Sequence, residues 1–222
     1  MGSRRYVTVY VISTRVCCII LTSFARAGTL SSVSASLNHA VALTAEGAVY
    51  AWGNNQCGQL GLGDVKNRYK PTQIDELKGV PITQVAVGVE HTLALSKDGR
   101  LYAFGCDGRG SLGLGSTRVG NVTESKVVSK PTVVSTPEPF VKIAAGALHS
   151  VGLSGSGSVY TWGANDQGQL GTSSSRLDTH RQTDLFISGL GGCLKPGGPA
   201  NDPCLNDVFV VRSSALLADS GI

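Results

Sequence analysis

Charged residues make up only 15% of the sequence, too few for a disordered polyelectrolyte. A lipid-spanning run is missing as well. Arg15 interrupts the one mostly apolar stretch, Tyr6 to Phe24, and a charge there is costly in a bilayer. Eight prolines and no Gly-X-Y period exclude collagen. One Met, two Trp and few charges leave little material for long amphipathic helices. Six cysteines, at 17, 18, 57, 106, 193 and 204, form no CxxC pair and have no His at zinc-ligand spacing. Free, inert thiols are the expected state, although Cys193 and Cys204 bracket a Gly/Pro-rich loop and could bridge in an oxidising compartment. Walker A, HExxH and GxSxG sequences are absent, so the corresponding phosphate, zinc and acyl-transfer chemistries have no anchor.

Glycine is what abounds. It occupies 29 of 222 positions, about 13% against a usual value of roughly 7%. This points to β-structure with many tight turns. The formal charge of +4 is also less general than it looks, because Arg4, Arg5, Arg15 and Arg26 precede every acidic residue. From residue 36 onward, basic and acidic residues are equal in number, so the body exerts no general pull on a phosphate backbone. Nucleic-acid binding is not expected from charge.

The leader, residues 1–32, is ambiguous. Two arginines precede the apolar run, and Ala25-Arg26-Ala27 fits a small-residue cleavage site. The acid-free start also fits a transit peptide, although its β-branched residues make a poor amphipathic helix. A core strand or a gene-model artefact accounts for the same residues. A cytoplasmic or nuclear protein is expected; a secretory or organellar one follows if residues 1–27 are a targeting segment.

Self-comparison is the informative step. Three stretches align without a gap from His39, His91 and His149. Counting from each anchor, Gly recurs at +8 (Gly47, Gly99, Gly157) and Tyr at +11 (Tyr50, Tyr102, Tyr160). An aromatic recurs at +13 (Trp52, Phe104, Trp162), followed at once by Gly53, Gly105 and Gly163. Gly58, Gly110 and Gly168 stand at +19, with Leu-Gly two residues beyond, and Gly or Ser at −3 (Ser36, Gly88, Gly146). The anchors are 52 and 58 residues apart, and a truncated fourth copy begins at Ser213.

Each copy reads as a hairpin, with an alternating strand from the anchor, a Gly-containing turn, and a returning strand. Alternation puts Leu101 and Ala103 on one face and Tyr102 and Phe104 on the other. Lys70-Pro71-Thr72 and Lys130-Pro131-Thr132 are expected to open extended segments between copies.

These residues resemble the regulator of chromosome condensation repeat, whose hallmark is a Gly-x-x-His strand followed by Tyr-x-Trp-Gly-x-Asn-x-x-Gly-Gln-Leu-Gly. Asn55, Gly58, Gln59, Leu60 and Gly61 match it in the first copy; Asn165, Gly168, Gln169, Leu170 and Gly171 match it in the third. The second copy departs, with Phe104 for Trp, Asp107 for Asn and Ser111 for Gln. The resemblance implies an all-β fold, a β-propeller of four-stranded blades. Seven such blades would need on the order of 360–400 residues. Three to four blades are therefore expected over residues 33–222, with an irregular insertion at 172–207. A fragment, an assembly half or a truncated gene model all fit, and the open blade edges offer a route to self-association.

A residue that recurs once per blade has little reason to be catalytic, so the anchor histidines read as structural hydrogen-bonding groups. Gly108-Arg-Gly110-Ser-Leu-Gly113 matches a dinucleotide fingerprint, but it follows a hairpin and opens no helix. Asn121-Val-Thr123 is a glycosylation sequon, relevant only to a secreted chain. The resemblance includes a plant ultraviolet photoreceptor that depends on clustered tryptophans; Trp52 and Trp162, each in a repeat slot, offer no such cluster. Neither a cofactor nor enzymatic chemistry is expected.

The resemblance implies a non-catalytic protein-interaction or scaffold module. The alternative is guanine nucleotide exchange on a small GTPase of the Ran type, a process that needs a shaped surface and no covalent chemistry. The expected contact surface is the set of loops 63–72, 115–131 and 172–207, with Arg176, Asp178, His180, Arg181 and Asp184 as candidate partner-contact residues.

Overall fold

The computed structural model describes residues 29–115 and 126–171, together with the backbone of Asp178–Thr183. Residues 1–28, the Asn121 sequon, Arg176, Asp184, the repeat at Ser213, and Cys17, Cys18, Cys193 and Cys204 lie outside the described residues.

The described residues contain twelve strands in three four-stranded antiparallel sheets, each a simple meander. The first contains β1 (Leu30–Ala35), β2 (His39–Thr44), β3 (Val49–Gly53) and β4 (Arg68–Gln73). The second contains β5 (Ile82–Val87), β6 (His91–Ser96), β7 (Leu101–Cys106) and β8 (Val127–Val134). The third contains β9 (Phe140–Ala145), β10 (His149–Ser154), β11 (Val159–Gly163) and β12 (Asp178–Thr183). Among the described residues, the helical structure is one short 3-10 turn, Asp75–Leu77. β1 packs against β5, and β5 against β9, so the first strands of the sheets converge while the fourth strands form outer edges. This is the blade arrangement of an incomplete β-propeller.

The repeat columns map directly onto register. Each anchor pairs with the glycine that ends the returning strand: His39 with Gly53, His91 with Gly105, and His149 with Gly163. The hairpins close the same way in each blade. Thr44, Ser96 and Ser154 donate their N–H to Ala48, Arg100 and Ser158, and accept from Gly47, Gly99 and Gly157. At the far end, Gly53, Gly105 and Gly163 have φ of +106°, +125° and +110°. A Cβ at these positions would run into the carbonyls of Asn38, Glu90 and Leu148, so only glycine fits. Opposite the fourth strand, every blade slips register at its aromatic, Trp52, Phe104 or Trp162.

Three expectations need correction. Pro71 and Pro131 do not open strands; they lie inside β4 and β8, parts of which were expected in loops 63–72 and 115–131. These are outer-edge strands, where a missing N–H leaves no ladder bond unmade. Asp178–Thr183, expected within an irregular insertion, supplies the fourth strand of the third sheet and pairs with β11. β1 begins at Leu30, so the first blade starts before residue 33.

A sheet in a stack buries both faces, and β2 and β6 are buried along their whole lengths. In the second blade, Ala94, Tyr102 and Phe104 pack with Val41, Ala51, Leu60 and Ile74 of the first. Its other face, with Leu93, Leu95, Leu101 and Ala103, packs with Phe140, Ile143, Tyr160 and Trp162 of the third. Each two-residue alternation thus separates two seams rather than core from solvent.

The third blade shows a compensated size change. Nine residues before the anchor stand Leu30, Ile82 and Phe140; three after it stand Ala42, Ala94 and Gly152. A Cβ on Gly152 would lie 2.5 Å from the Phe140 ring, which also stacks on Trp162 with centroids 6.1 Å apart. The larger ring therefore occupies the volume that alanine fills elsewhere. Gly152→Ala alone should cost about 1–3 kcal/mol by overpacking. Pairing it with Phe140→Ile should cost clearly less than the sum of the single changes in urea denaturation, whereas additive costs would contradict this coupling.

Candidate functional site

At each seam between blades, the repeat's polar side chains converge. His39 sits at the start of β2, with Nε2 2.9 Å from Thr92 Oγ1 in the next blade. The Thr92 hydroxyl donates to the Gln59 carbonyl at 2.8 Å. At the second seam, His91 Nε2 lies 2.9 Å from Ser150 Oγ, which donates to the Ser111 carbonyl at 2.8 Å. A hydroxyl has one proton, and here the carbonyl takes it. The hydroxyl must therefore accept from the histidine, which places a proton on Nε2 of both rings. Ser36 Oγ lies 3.2 Å from His39 Nδ1, within hydrogen-bond distance. Gly88 stands at the same position in the second blade, and His91 Nδ1 has no hydrogen-bond partner among the described residues.

The electrostatics follow from burial. His39 is pushed down to about 3 and His91 to about 4, chiefly because burial penalises an imidazolium, with the neighbouring anchor histidine adding to the effect. Burial lowers His149 as well. At neutral pH His39 and His91 are therefore uncharged rings that donate through Nε2.

The loop after each third strand explains the motif and its exceptions. Asn55 Oδ1 accepts the Leu60 N–H, Asp107 Oδ1 that of Leu112, and Asn165 Oδ1 that of Leu170, each at 3.0 Å. An aspartate can replace asparagine at Asp107 because an acceptor is what the loop requires. Gln59 and Gln169 side chains accept the Cys57 and Gln167 N–H groups at 2.9 and 2.8 Å. Ser111 is too short for that and donates to the Cys106 carbonyl instead. Trp162 Nε1 donates to the Ser111 carbonyl at 2.9 Å, a bond Phe104 cannot supply at the first seam.

Cys57 and Cys106 are joined in a disulfide between the first and second blades, Cα to Cα 5.0 Å, which corrects the expectation of free thiols for this pair. Their sulfurs and a Glu90 carboxylate oxygen lie within 4.8 Å of one another, a soft-metal donor set in composition. In the disulfide state the sulfurs offer no thiolate, so the set does not fit a metal ion. On the turn side of the third blade, Glu138 accepts from Tyr160 at 2.6 Å and Ser156 at 2.7 Å. These bonds hold its carboxyl below the usual carboxylate range and push the Tyr160 phenol up.

Of the candidate partner-contact residues, Asp178, His180 and Arg181 fall on β12, while Arg176 and Asp184 lie outside the described residues. The hydroxyls of Thr92 and Ser150 were missed by sequence reasoning. The signal was available one position after the anchor, where a hydroxyl stands in the second and third copies.

Two outcomes test the seam. Thr92→Val, which strands both a histidine donor and a carbonyl, should cost about 1–3 kcal/mol in urea denaturation, while Thr92→Ser should be nearly neutral. Because the folded pKa values of His39 and His91 lie below the ordinary 6.5, the unfolded chain binds protons first as pH falls. Stability from these groups should be complete above about 6.5 and decline progressively toward pH 4. A urea midpoint unchanged between pH 7.5 and 5 would contradict this assignment.

The chain matches the description "Regulator of chromosome condensation (RCC1) repeat" over residues 46–95, 98–153 and 156–183. It is 39% identical over 142 residues to the Ultraviolet-B receptor UVR8 of Arabidopsis thaliana, covering 64% of this chain and 31% of the relative. It is 35% identical over 159 residues to the probable E3 ubiquitin-protein ligase HERC6 of Homo sapiens, covering 71% and 15%. The crystal structure of Prp20p from Saccharomyces cerevisiae, described with its binding properties to Gsp1p and histones, superposes with a TM-score of 0.60 at 28% identity. That likeness covers 72% of this chain and 39% of Prp20p. The chain thus spans well under half the length of each of these proteins. Three gapless copies, their shared register and these matches lead to one conclusion: the chain belongs to the regulator of chromosome condensation (RCC1) repeat family.

Proposed function

We propose that the chain works as a non-catalytic protein-interaction module. The observation that carries this reading is where the repeat's polar groups go. His39, His91, Thr92 and Ser150 are spent on the seams, and Asn55, Asp107 and Asn165 on the loops. The recurring residues therefore build a scaffold, and recognition falls to the segments that differ between copies. These are residues 63–67, 115–126 and the stretch around β12, with Arg176, Asp178, His180, Arg181 and Asp184 as proposed contacts. Among the described residues, no helix is long and apolar enough to cross a membrane. A cytoplasmic or nuclear setting belongs to the same reading.

A second reading is guanine nucleotide exchange on a Ran-type GTPase. What favours it is the likeness to Prp20p, whose structure is described with its binding to Gsp1p. Histone or chromatin binding gains less, because the body of the chain is neutral.

Because β12 completes the third sheet, the test is substitution rather than deletion. Replacing Arg176, His180 and Arg181 together by alanine should remove the proteins captured by the unmodified chain while leaving its far-ultraviolet β-signature intact. Unchanged capture would contradict the assignment of this segment. The two readings separate in a nucleotide-release assay on a Ran-type GTPase. No acceleration at chain concentrations on the order of micromolar supports the interaction module, and acceleration establishes exchange.

A further inference from the structure

Position +18 from the anchor is Cys57 in the first repeat, Arg109 in the second and Gln167 in the third. It sits at the tip of the loop that reaches toward the following blade. From this position Cys57 bonds to Cys106, which stands 15 residues after His91. One blade on, Arg109 crosses in the same direction to Asp166, 17 residues after His149, with Nη1 to Oδ2 of 2.9 Å. The same loop tip therefore stitches both seams, by a covalent bond in one and an exposed ion pair in the other. The ion pair contributes little in water. Only the disulfide can be made and broken by electron transfer.

We propose that Cys57–Cys106 is a redox modification site, a stitch across the first seam that a small dithiol opens and that the dithiol's own oxidised, disulfide form recloses by the reverse exchange, taking back the two electrons and two protons. Cys57 is partly exposed and Cys106 is buried, 8% accessible, so access favours attack on the Cys57 sulfur. A thiolate of the dithiol bonds to Cys57, the Cys57–Cys106 bond breaks, and Cys106 leaves as a thiolate that takes up a proton. The second thiol of the reagent then displaces Cys57 and closes its own disulfide. The protein gains two electrons and two protons, and the dithiol loses them. Where thiols are kept reduced, as in the cytoplasm or nucleus, such a pair is conditional rather than permanent.

Opening the stitch leaves the blades associated. The first seam retains the His39–Thr92–Gln59 relay and the packing of Phe104 against Leu60 and Val41. The second seam has no disulfide between its described residues and is held by the same kind of relay. The change is therefore confined to the first loop. Cys57 lies two residues from Gln59, whose carbonyl accepts Thr92, so the loop loosens where it feeds the seam.

The full chain is compared before and after dithiothreitol. Without reductant, tryptic residues 27–66 and 101–109 should be recovered as one linked species, distinct from residues 182–212, which carry both Cys193 and Cys204. With reductant, Cys57 and Cys106 should become alkylated together, and amide protection should fall in residues 54–63 but not in 164–171. The thermal midpoint should drop by roughly 5–15 °C. Cys57→Ser should reproduce the reduced protection of residues 54–63 and abolish any further change there on adding dithiothreitol. The proposal is overturned if Cys57 and Cys106 are unlinked without reductant, if cleavage alters neither protection nor midpoint, or if residues 54–63 of the Cys57→Ser chain still respond. Should that variant fail to fold, the paired alkylation and exchange of the unsubstituted chain decide the matter.

Discussion

A stack of sheets must bury polar backbone and side-chain groups between its layers, and every buried donor and acceptor then needs a partner. In this chain a neutral histidine meets that demand once per seam. Its Nε2–H reaches a hydroxyl of the next blade, which in turn donates a hydrogen bond to a carbonyl of the first. A charged ring would be unpaired in the same space, which is why burial drives His39 to about 3 and His91 to about 4. Other repeat positions serve this contact. Gly88 and Gly146 leave room for the rings, and Gly53, Gly105 and Gly163 bring the returning strand tightly against the anchor. The loop asparagine or aspartate holds the carbonyl-bearing turn in place.

Much of this was legible in the sequence because it repeats. The anchor, the turn glycine and the aromatic-Gly pair recur at fixed spacing; the anchor and aromatic-Gly columns became fixed register pairs, and the turn glycine closes each hairpin. The columns that carry information about packing between blades were harder to read. Thr92 and Ser150 look like ordinary strand residues until the neighbouring histidine is placed beside them. Phe140 and Gly152 make sense only as a pair filling one volume. Cys57 and Cys106 lie 49 residues apart, at different repeat positions, and no spacing rule joins them. The outer strands were missed for a different reason. β4, β8 and β12 vary between copies and, in the first two, contain proline at an open edge, so neither period nor propensity marks them as strands.

The division between what recurs and what varies also orders the candidate site. Fixed columns account for blade closure and seam chemistry, and the second repeat shows how tolerant they are. Phe104 replaces Trp and forgoes one hydrogen bond, Asp107 replaces Asn and keeps its acceptor, and Ser111 replaces Gln by finding another carbonyl. Recognition is free to evolve in the connections and at the loop tips. There the same +18 position has become a cysteine in one blade and an arginine in the next. The proposed interaction surface and the proposed redox stitch thus both draw on positions that vary between the copies.

Both seams depend on His39 and His91 being neutral donors. Long-range proton–nitrogen correlation spectra of the ¹⁵N-histidine chain at pH 5.5 should show both rings neutral and protonated on Nε2, at a pH where an exposed histidine is mostly imidazolium. Imidazolium shifts for these two rings, or protons on Nδ1, would contradict this assignment.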